Sequence, residues 1–274
     1  MNRRPAAGTL LVNAALAGAA LLTLTPLLWM ISASFMAPGE STRFPPPLLP
    51  DAPTLEHYRE LFIRLDLGRY AFNSALIALG VTAISLLFNS LAGYAFAKLE
   101  FRGRDRLFTL LLAGLVIPVQ VAMLPLFLLM RELGLVNTYW GVIVPMMATI
   151  FGIFLVRQFA LSIPDELLEA ARVEGAGELR IYVSVVLPLL RPILVTLAVF
   201  TFMTAWNDFM WPLIVLTDQD MFTLPVALAN LSGEHYQDTE LMMAASVLTT
   251  LPVLLLFLLA QRYYVEGIML GSIK

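Results

Sequence analysis

Residues 169–188 read EAARVEGAGELRIYVSVVLP, a charged stretch that two glycines interrupt and that lies between two long apolar segments. The residues just before it predict the start of a helix. Ser162 suits the N-cap position, Pro164 suits the first turn, and an acid such as Asp165 is favoured near the positive end of a helix. The quoted stretch therefore begins as a short polar helix outside the apolar segments.

This short helix is predicted to carry one small apolar face. Leu167, Leu168 and Ala171 fall on that face, and charged residues surround it. Gly175 and Gly177 then break or turn the helix. A short helix of this shape, held between two membrane segments, suits a groove on a soluble partner. It suits equally well an ordinary loop helix that rests on lipid headgroups, and physical reasoning alone leaves both interpretations open.

The composition is that of a membrane protein. Hydrophobic residues make up 59% of the 274 residues, charged residues make up 14%, and the mean hydropathy is +0.81. Soluble domains carry about a quarter charged residues, so a soluble fold is a poor alternative. The chain has no cysteine, which excludes disulfides and thiolate metal sites. A net charge of −3 without a long basic run argues against nucleic acid as a partner.

Apolar runs long enough to cross a bilayer predict an all-α, polytopic membrane fold with six spans in one transmembrane domain over residues 1–274. The spans are predicted at about 10–36, 71–98, 106–130, 139–160, 186–217 and 241–265, and the polar helix and its loop at about 163–188. Proline residues inside these spans should kink them. The segment PTLEHYRELF, between the first two spans, has the spacing of an amphipathic helix.

The distribution of lysine and arginine predicts the orientation. With the N-terminus inside, twelve of these residues lie in inner segments and five in outer ones, which is the bias that cytoplasmic loops show. Four of those five lie in the first outer loop and oppose the assignment. Both termini, and the short helix between the fourth and fifth spans, are therefore predicted to be cytoplasmic.

Asp208, in the segment WNDFMWPL, is the carboxylate placed well inside a predicted span. Charge inside a membrane is costly, so it indicates a functional site, and Asp208 is expected to line the translocation path beside Trp206 and Asn207. The alternative is that the fifth span ends here, with Trp206 as an interfacial anchor and Asp208 wetted at the outer rim.

Three amides inside the predicted spans are the next candidates after Asp208. Asn73, Asn89 and Gln120 are each candidates to face the translocation path. Lone amides in membranes more often form hydrogen bonds between helices, so that alternative stays open for all three.

The stretch 169–188 resembles the EAA loop of the membrane subunits of binding-protein-dependent ABC importers. That pattern is EAA, three residues, Gly, nine residues, a branched apolar residue, one residue and Leu-Pro, and it is matched by Glu169, Ala170, Ala171, Gly175, Val185, Leu187 and Pro188. The departures are Glu174 before the glycine, where the family usually has Asp, and Val185 in place of isoleucine. The resemblance implies a coupling helix that docks in a cleft of an ATP-hydrolysing subunit.

The resemblance extends over nearly the whole chain and is weakest over residues 1–70. GYAFAKLEFRGRDRLF at 93–108, MLPLFLLMRELGLVNTYWGVIVP at 123–145, WNDFMWPL at 206–213 and the C-terminal QRYYVEGIMLGSIK are similar to the carbohydrate-importer branch, in particular its shorter, six-span permease subunit of the maltose-transporter type. The tail ends at Lys274 without the final glycine that this branch often has, so its role is left open.

The resemblance also implies partners and a mechanism. The partners are two copies of an ATPase, a second homologous permease and an extracytoplasmic solute-binding protein, in a prokaryotic plasma membrane. Transport would follow alternating access, with ATP and Mg on the ATPase and no cofactor on this chain. Within the coupling helix Glu169 would make polar contacts, Leu168 and Ala171 would fill the ATPase cleft, and Gly175 would permit the turn.

The absence of a G-x-x-x-x-G-K-[ST] motif agrees with a transport subunit that does not bind ATP itself. Two other classes of function remain as alternatives. An ion-coupled secondary transporter would need several acids or histidines at mid-membrane, and the sequence offers Asp208. A structural membrane scaffold would need no path at all. The sequence does not name the solute.

Overall fold

The computed structural model describes residues 7–234 and 238–270, and within these ranges all regular structure is helical. The α-helices, in chain order, are α1 (Ala7–Ala33), α2 (Glu56–Ile63), α3 (Leu67–Lys98), α4 (Arg104–Ala113), α5 (Val119–Glu132), α6 (Tyr139–Ile143), α7 (Ile150–Ala160), α8 (Asp165–Val173), α9 (Glu178–Ile181), α10 (Leu187–Leu189), α11 (Arg191–Trp206), α12 (Met210–Val215), α13 (Leu224–Glu234) and α14 (Thr239–Leu270). Short 3₁₀ turns follow α4, α6 and α12, and a π-helical turn joins α9 to α10.

Three helices are long and apolar enough to cross a membrane without a break, over Leu11–Ala33, Leu67–Lys98 and Thr239–Gln261. Three more segments meet the same test only as bent pairs, Arg104–Val116 with Val119–Glu132, Tyr139–Met146 with Ile150–Ala160, and Glu178–Leu189 with Arg191–Trp206. The described residues thus hold three continuous candidate spans, and up to six if each bent pair crosses once. The all-helical membrane fold is confirmed, and the count of six depends on the bent pairs.

The sharpest bend, 106°, follows from the proline at its centre. Pro118 has no N–H to donate, and its ring disfavours helical backbone at the residue before it. Ile117 accordingly adopts an extended conformation, with ψ at 117°. The sequence-based expectation of a kink at Pro118 is therefore confirmed. Pro145 lies in the 3₁₀ turn of the second pair, where the bend is 42°.

The chain divides into two compact units. The first takes in Met1–Leu67 and Leu228–Leu251, and it contains α2, which is the amphipathic helix predicted within PTLEHYRELF. α2 buries His57, whose Nε2 lies 2.9 Å from the carbonyl oxygen of Met36. The second unit takes in Gly68–Ala227 and Pro252–Lys274. The single domain over residues 1–274 stays a prediction.

Unit two contains a continuous apolar core around the EAA-like stretch. This core draws residues from α3, α7, α8, the α9–α10 segment, α11 and the turns between them, namely Tyr94, Ala97, Val156, Ala160, Ile163, Leu168, Ile181, Tyr182, Val186, Leu190, Ile193 and Leu197. Residues of α8 and residues of the apolar helices α3, α7 and α11 are therefore buried in the same core. Arg3, Arg4 and the C-terminal tail from residue 271 lie outside the described residues, so the cytoplasmic orientation of the termini stays a prediction.

Candidate functional site

The polar helix predicted from the sequence is α8, and it begins two residues later than the capping argument expected. Pro164 occupies the N-cap position in an extended conformation, with φ −60° and ψ 134°, and Asp165 is the first helical residue. The assignment of Ser162 as the cap is wrong. Its hydroxyl donates to the carbonyl of Phe159 at 2.7 Å, because Ser162 still belongs to the turn that ends α7.

α8 ends at the glycine that the EAA-like pattern contains. Gly175 has φ +84°, a left-handed conformation that glycine adopts without steric cost. Its N–H donates to the carbonyl of Arg172 at 2.9 Å, and the N–H of Ala176 donates to the carbonyl of Ala171 at 3.0 Å. This pair of bonds is a Schellman motif, which satisfies the last carbonyls of a helix. The expected helix end at Gly175 is confirmed.

α8 has an inner and an outer face. Leu168 is 1% exposed and belongs to the core of unit two, and Ala171 packs against the same core. This placement corrects the role expected for Leu168, because a side chain already buried in its own chain is not available to fill a partner's cleft. Glu166, Ala170 and Val173 lie three or four residues apart, so they share the opposite face. All three are exposed, Val173 at 89%.

Glu169 lies at the flank of that outer face and is exposed. With Ala170 it gives the outer face a carboxylate beside small and branched apolar groups. Glu169 and Ala170 are therefore free to meet another molecule. Nothing in the structure tests their predicted contacts with an ATPase, which stay predictions.

A carboxylate joins α8 to two other helices. Glu178, the first residue of α9, accepts a hydrogen bond from Arg172 Nε at 2.8 Å through one oxygen. Its other oxygen accepts from the Tyr94 hydroxyl of α3, also at 2.8 Å. The hydrogen bond to Glu178 raises the pKa of the Arg172 guanidinium above its ordinary value.

The N-terminal end of α8 has a second polar link to α3. Lys98, the last residue of α3, donates to the carbonyl of Ile163 and to the carboxylate of Asp165, both at 2.6 Å. Its side chain is 5% exposed. A buried ammonium group needs acceptors of this kind, because desolvation without partners is costly. Both ends of α8 are thus tied to the same end of α3.

Pro188, the last residue of the EAA-like pattern, follows a π-helical turn over Tyr182–Val186. A helical proline displaces the carbonyl four residues earlier, here that of Ser184. The backbone widens just there, and the N–H of Leu187 bonds to the carbonyl of Tyr182, five residues back. The Tyr182 hydroxyl lies 2.6 Å from Ser90 Oγ of α3, which ties the turn to the same helix.

The predicted path residue Asn73 is buried and fully engaged within its own chain. Its amide nitrogen donates to the carbonyls of Asp220 and Phe222 at 2.9 and 3.0 Å, and its oxygen accepts from the Tyr139 hydroxyl at 2.8 Å. Asn89 likewise accepts from the N–H of Thr149 at 2.9 Å. These contacts favour the alternative in which the two amides join segments of the chain.

The group around Asp208 lies in a break between α11 and α12. Asp208 is half-buried and accepts from the N–H of Trp211 at 3.4 Å, near the start of α12. Trp206 is buried and stacks on Phe202 with ring centroids 5.8 Å apart. Asn207 is exposed, and its amide donates to the carbonyl of Met203 at 2.8 Å. The continuous helix of the fifth predicted span therefore ends at Trp206.

Gln120 differs from the other predicted path residues. It is the second residue of α5, directly after the 106° break, and its side chain is exposed without a hydrogen bond in the described part of the chain. Val116, Ile117 and Val119 beside it are also exposed. Broken helices at membrane depth are tolerated where they line a cavity or are covered by protein.

Sequence reasoning missed Tyr94, Lys98 and Glu178. Tyr94 and Lys98 are four residues apart and share a face of α3, and a polar pair at the end of an apolar helix was a visible signal. Their partners lie 84 and 67 positions away along the chain, a separation that no local pattern encodes.

Comparison with known proteins finds a matching family profile, similar permease proteins and a similar solved structure. The profile of a family described as binding-protein-dependent transport system inner membrane component matches residues 89–269. An arabinooligosaccharides transport system permease protein, AraQ of Halalkalibacterium halodurans, is 40% identical over 258 residues, covering 93% of this chain and 92% of that protein. The lactose transport system permease protein LacG of Rhizobium radiobacter is 35% identical over 256 residues, 93% of each chain.

A solved structure resembles the whole fold. It is a chain from the crystal structure of a bacterial ABC transporter involved in the import of the acidic polysaccharide alginate. The TM-score is 0.84 at 25% sequence identity, over 96% of this chain and 100% of that one. The EAA-like stretch, α8 and the bent helix pairs all fall within the segment matched by the family profile.

Proposed function

Because this chain belongs to the family of binding-protein-dependent transport system inner membrane components, we propose that it is one of two permease subunits of an ATP-driven importer. It forms half of the translocation path in a prokaryotic plasma membrane. Two copies of an ATPase, which bind ATP and Mg, and an extracytoplasmic solute-binding protein complete the complex. This chain binds no cofactor and catalyses no reaction.

The outer face of α8 is the observation that carries the proposal. This face consists of Glu166, Ala170 and Val173, which are exposed and point away from the chain's own core. The helix that carries them is tied to α3 at both ends. An exposed apolar group such as Val173, on a short helix with acids around it, fits a groove on a soluble protein. The face of α8 docks in the ATPase, and Glu169 contributes polar contacts at its flank.

Transport follows alternating access. Binding of ATP closes the ATPase dimer, and the docked α8 moves with it. The spans then open outward and accept solute from the binding protein. The chain needs an external source of energy for this cycle, because its sequence contains no G-x-x-x-x-G-K-[ST] loop to hold nucleotide phosphates.

The solute is a carbohydrate. Support comes from relatives whose names refer to arabinooligosaccharides and lactose, and from a similar structure that belongs to an alginate importer. Among the predicted path residues, Gln120 is the amide whose exposed side chain makes no hydrogen bond within the described residues, and it would bond to sugar hydroxyls. Asn207 and Asp208 lie at the end of α11, where an outer gate would stand.

An ion-coupled secondary transporter is less well supported. Such a protein needs carboxylates or imidazoles free to exchange ions at mid-membrane. Asp208 instead accepts a backbone hydrogen bond from Trp211, and His57 of the first unit lies outside the predicted spans, against the carbonyl of Met36.

Co-purification tests the proposal directly. The tagged chain is extracted from native membranes in mild detergent, and the proteins that accompany it are identified by mass spectrometry. A Walker-motif ATPase and a second permease in stoichiometric amounts are expected. Reconstituted vesicles are then tested with arabinotriose and lactose as probe sugars. A lone chain or a homo-oligomer, reproduced in several detergents, would count against the importer assignment.

A further inference from the structure

We propose that Glu178 and Lys98 are positioning residues that hold α8 on the end of α3, so that the two helices move together when a partner displaces α8. The inference rests on the proposed function, in which α8 docks in an ATPase. It assigns α3 as a direct receiver of that movement. The alternative is a hinged loop, in which the movement reaches the spans only through α9 and the chain that follows it.

Glu178 makes the link at the C-terminal end of α8. Its two carboxylate oxygens are used by different helices, one by Arg172 of α8 and the other by Tyr94 of α3, each at 2.8 Å. A carboxylate has two acceptor oxygens and can serve both donors at once. The first residue of α9 thus bridges the coupling helix and a membrane span.

Lys98 makes the link at the other end. Its ammonium group contacts the Ile163 carbonyl, just before α8, and the Asp165 carboxylate in the first turn, both at 2.6 Å. Tyr94 and Lys98 are one helical turn apart on α3. α8 is therefore held at two points by one face of one helix, which restricts both its translation and its rotation relative to α3.

The apolar contacts between these elements do not fix this geometry alone. Leu168 of α8 packs in the same core as Tyr94 and Ala97 of α3. Hydrophobic burial is not directional, so it favours contact without specifying register. Hydrogen bonds to charged groups are directional and stronger than neutral ones. The two polar links are what convert this contact into a fixed arrangement.

Distance measurements between spin labels test the inference in the intact complex. The chain has no cysteine, so the paired substitutions Glu100→Cys and Glu174→Cys label it at two sites, one just after α3 and one at the end of α8. The complex is purified with its co-purifying ATPase. The label distance is measured without nucleotide and with ATP plus vanadate. The expected distance is the same in both states.

Two variants in the labelled background then remove the link. Tyr94→Phe deletes one donor and keeps the aromatic ring beside Tyr182, whose ring centroid is 5.8 Å away. Glu178→Gln leaves one acceptor oxygen where two donors compete. The distance distribution is expected to broaden, or to differ between the two nucleotide states, in both variants. Glu60→Gln is the matched control, because it weakens a carboxylate–arginine contact on α2, in the other unit.

The outcomes are distinguishable. If no ATPase co-purifies with the unlabelled chain, the proposed function fails and the inference falls with it. If the ATPase is present, a change of about one helical turn, about 5 Å, between nucleotide states in the labelled background overturns the inference alone. Distributions in both variants that match the Glu60→Gln control would also overturn it. Retention of the ATPase by each variant shows that it has folded.

Discussion

The ammonium group of Lys98 lies 2.6 Å from the carboxylate of Asp165, and these two residues differ greatly in exposure. Lys98 is 5% exposed, whereas Asp165 is 72% exposed. The charge of Lys98 is thus buried next to the N-terminal end of α8, while its acidic partner Asp165 is exposed. Without Lys98, the exposed Asp165 carboxylate is open to water, whereas the carbonyl of Ile163, the other acceptor, lies in a partly buried contact.

Lys98→Met should loosen α8. The substitution keeps the length and apolar stem of the side chain and removes a charged donor, for which a typical cost is about 1.5–3 kcal/mol. Amide hydrogen exchange over Asp165–Val173 in the purified protein is expected to speed up by a corresponding factor. The control is Arg43→Met, which removes an ion pair with both partners exposed and should cost about 0–1 kcal/mol. Equal exchange of α8 in both variants would contradict the role given to Lys98.

Gly175→Asp should abolish transport and leave membrane insertion intact. An added Cβ at this position has no atom within 4 Å, so the damage does not come from a clash. Asp and Asn tolerate the left-handed backbone of this position better than other side chains do, so the damage comes mainly from a new charge beside the proposed docking face. Gly175→Asn is the matched control, with a similar backbone preference and no charge.

The loss of transport is measured as uptake of arabinotriose or lactose by reconstituted vesicles. The amount of ATPase retained on the tagged chain is measured in the same preparations. Loss in the Asp variant with substantial activity in the Asn variant is the expected pattern. Wild-type uptake by Gly175→Asp would remove the coupling assignment from this loop.

Gly93→Ala should destabilise the second unit. A Cβ built at Gly93 of α3 lies 2.6 Å from Val156 Cγ1 and 3.0 Å from the backbone nitrogen of Arg157, both on α7. The two helices must separate to accept it, and overpacking of this kind costs about 1–3 kcal/mol. Thermal unfolding of the detergent-solubilised protein is expected to shift to lower temperature. Gly18→Ala, within α1 and without a neighbour inside 4 Å, should leave it unchanged or raise it.

Glu40 should make the first unit sensitive to acid. Backbone N–H groups of Asp51 and Ala37 donate to its carboxylate, and these bonds hold the pKa of Glu40 below its ordinary value. A lowered pKa in the folded state means that the unfolded state binds the proton more readily. The contribution to stability is therefore full above the ordinary pKa and is lost as pH falls through the folded one.

The comparison of wild type with Glu40→Gln over pH 7 to about 3 tests this expectation. The difference between their unfolding temperatures should be largest near neutral pH and should shrink in acid. A difference that stays constant over this range would show that the ionisation of Glu40 is not the cause. Glu60→Gln serves as the reference for a partly exposed acid on the same unit.

The sequence predicts the helical membrane fold well, because long apolar runs and charge clusters mark the limits of helices without reference to their neighbours. It also predicts the end of α8, because Gly175 can adopt the left-handed backbone that ends a helix whatever its distant neighbours are. The prediction of Ser162 as the N-cap was wrong, because Pro164 adopts an extended conformation between α7 and α8 and itself occupies the N-cap position. The size of each bend was not predictable from the presence of proline.

The predicted path residues show that the local sequence does not predict whether a polar side chain in an apolar helix is buried or exposed. Asn73 and Gln120 are both lone amides in apolar helices, yet one is enclosed by three hydrogen bonds and the other is exposed. The difference depends on segments 66 to 149 positions away from Asn73 that fold against it. The same holds for Glu178, whose role depends on a tyrosine in another helix.

The π-helical turn at Tyr182–Val186 changes the helical phase of everything that follows it. A π turn contains one residue more than an α turn, so side chains beyond Leu187 are rotated from the positions that an unbroken helix would give them. A helical wheel drawn continuously from α9 into α11 therefore assigns the wrong faces to the fifth span. The wheel must be restarted after Pro188, and a single-residue deletion that turns Tyr182–Val186 into an α turn would remove that offset while α11 keeps the same face toward its neighbours.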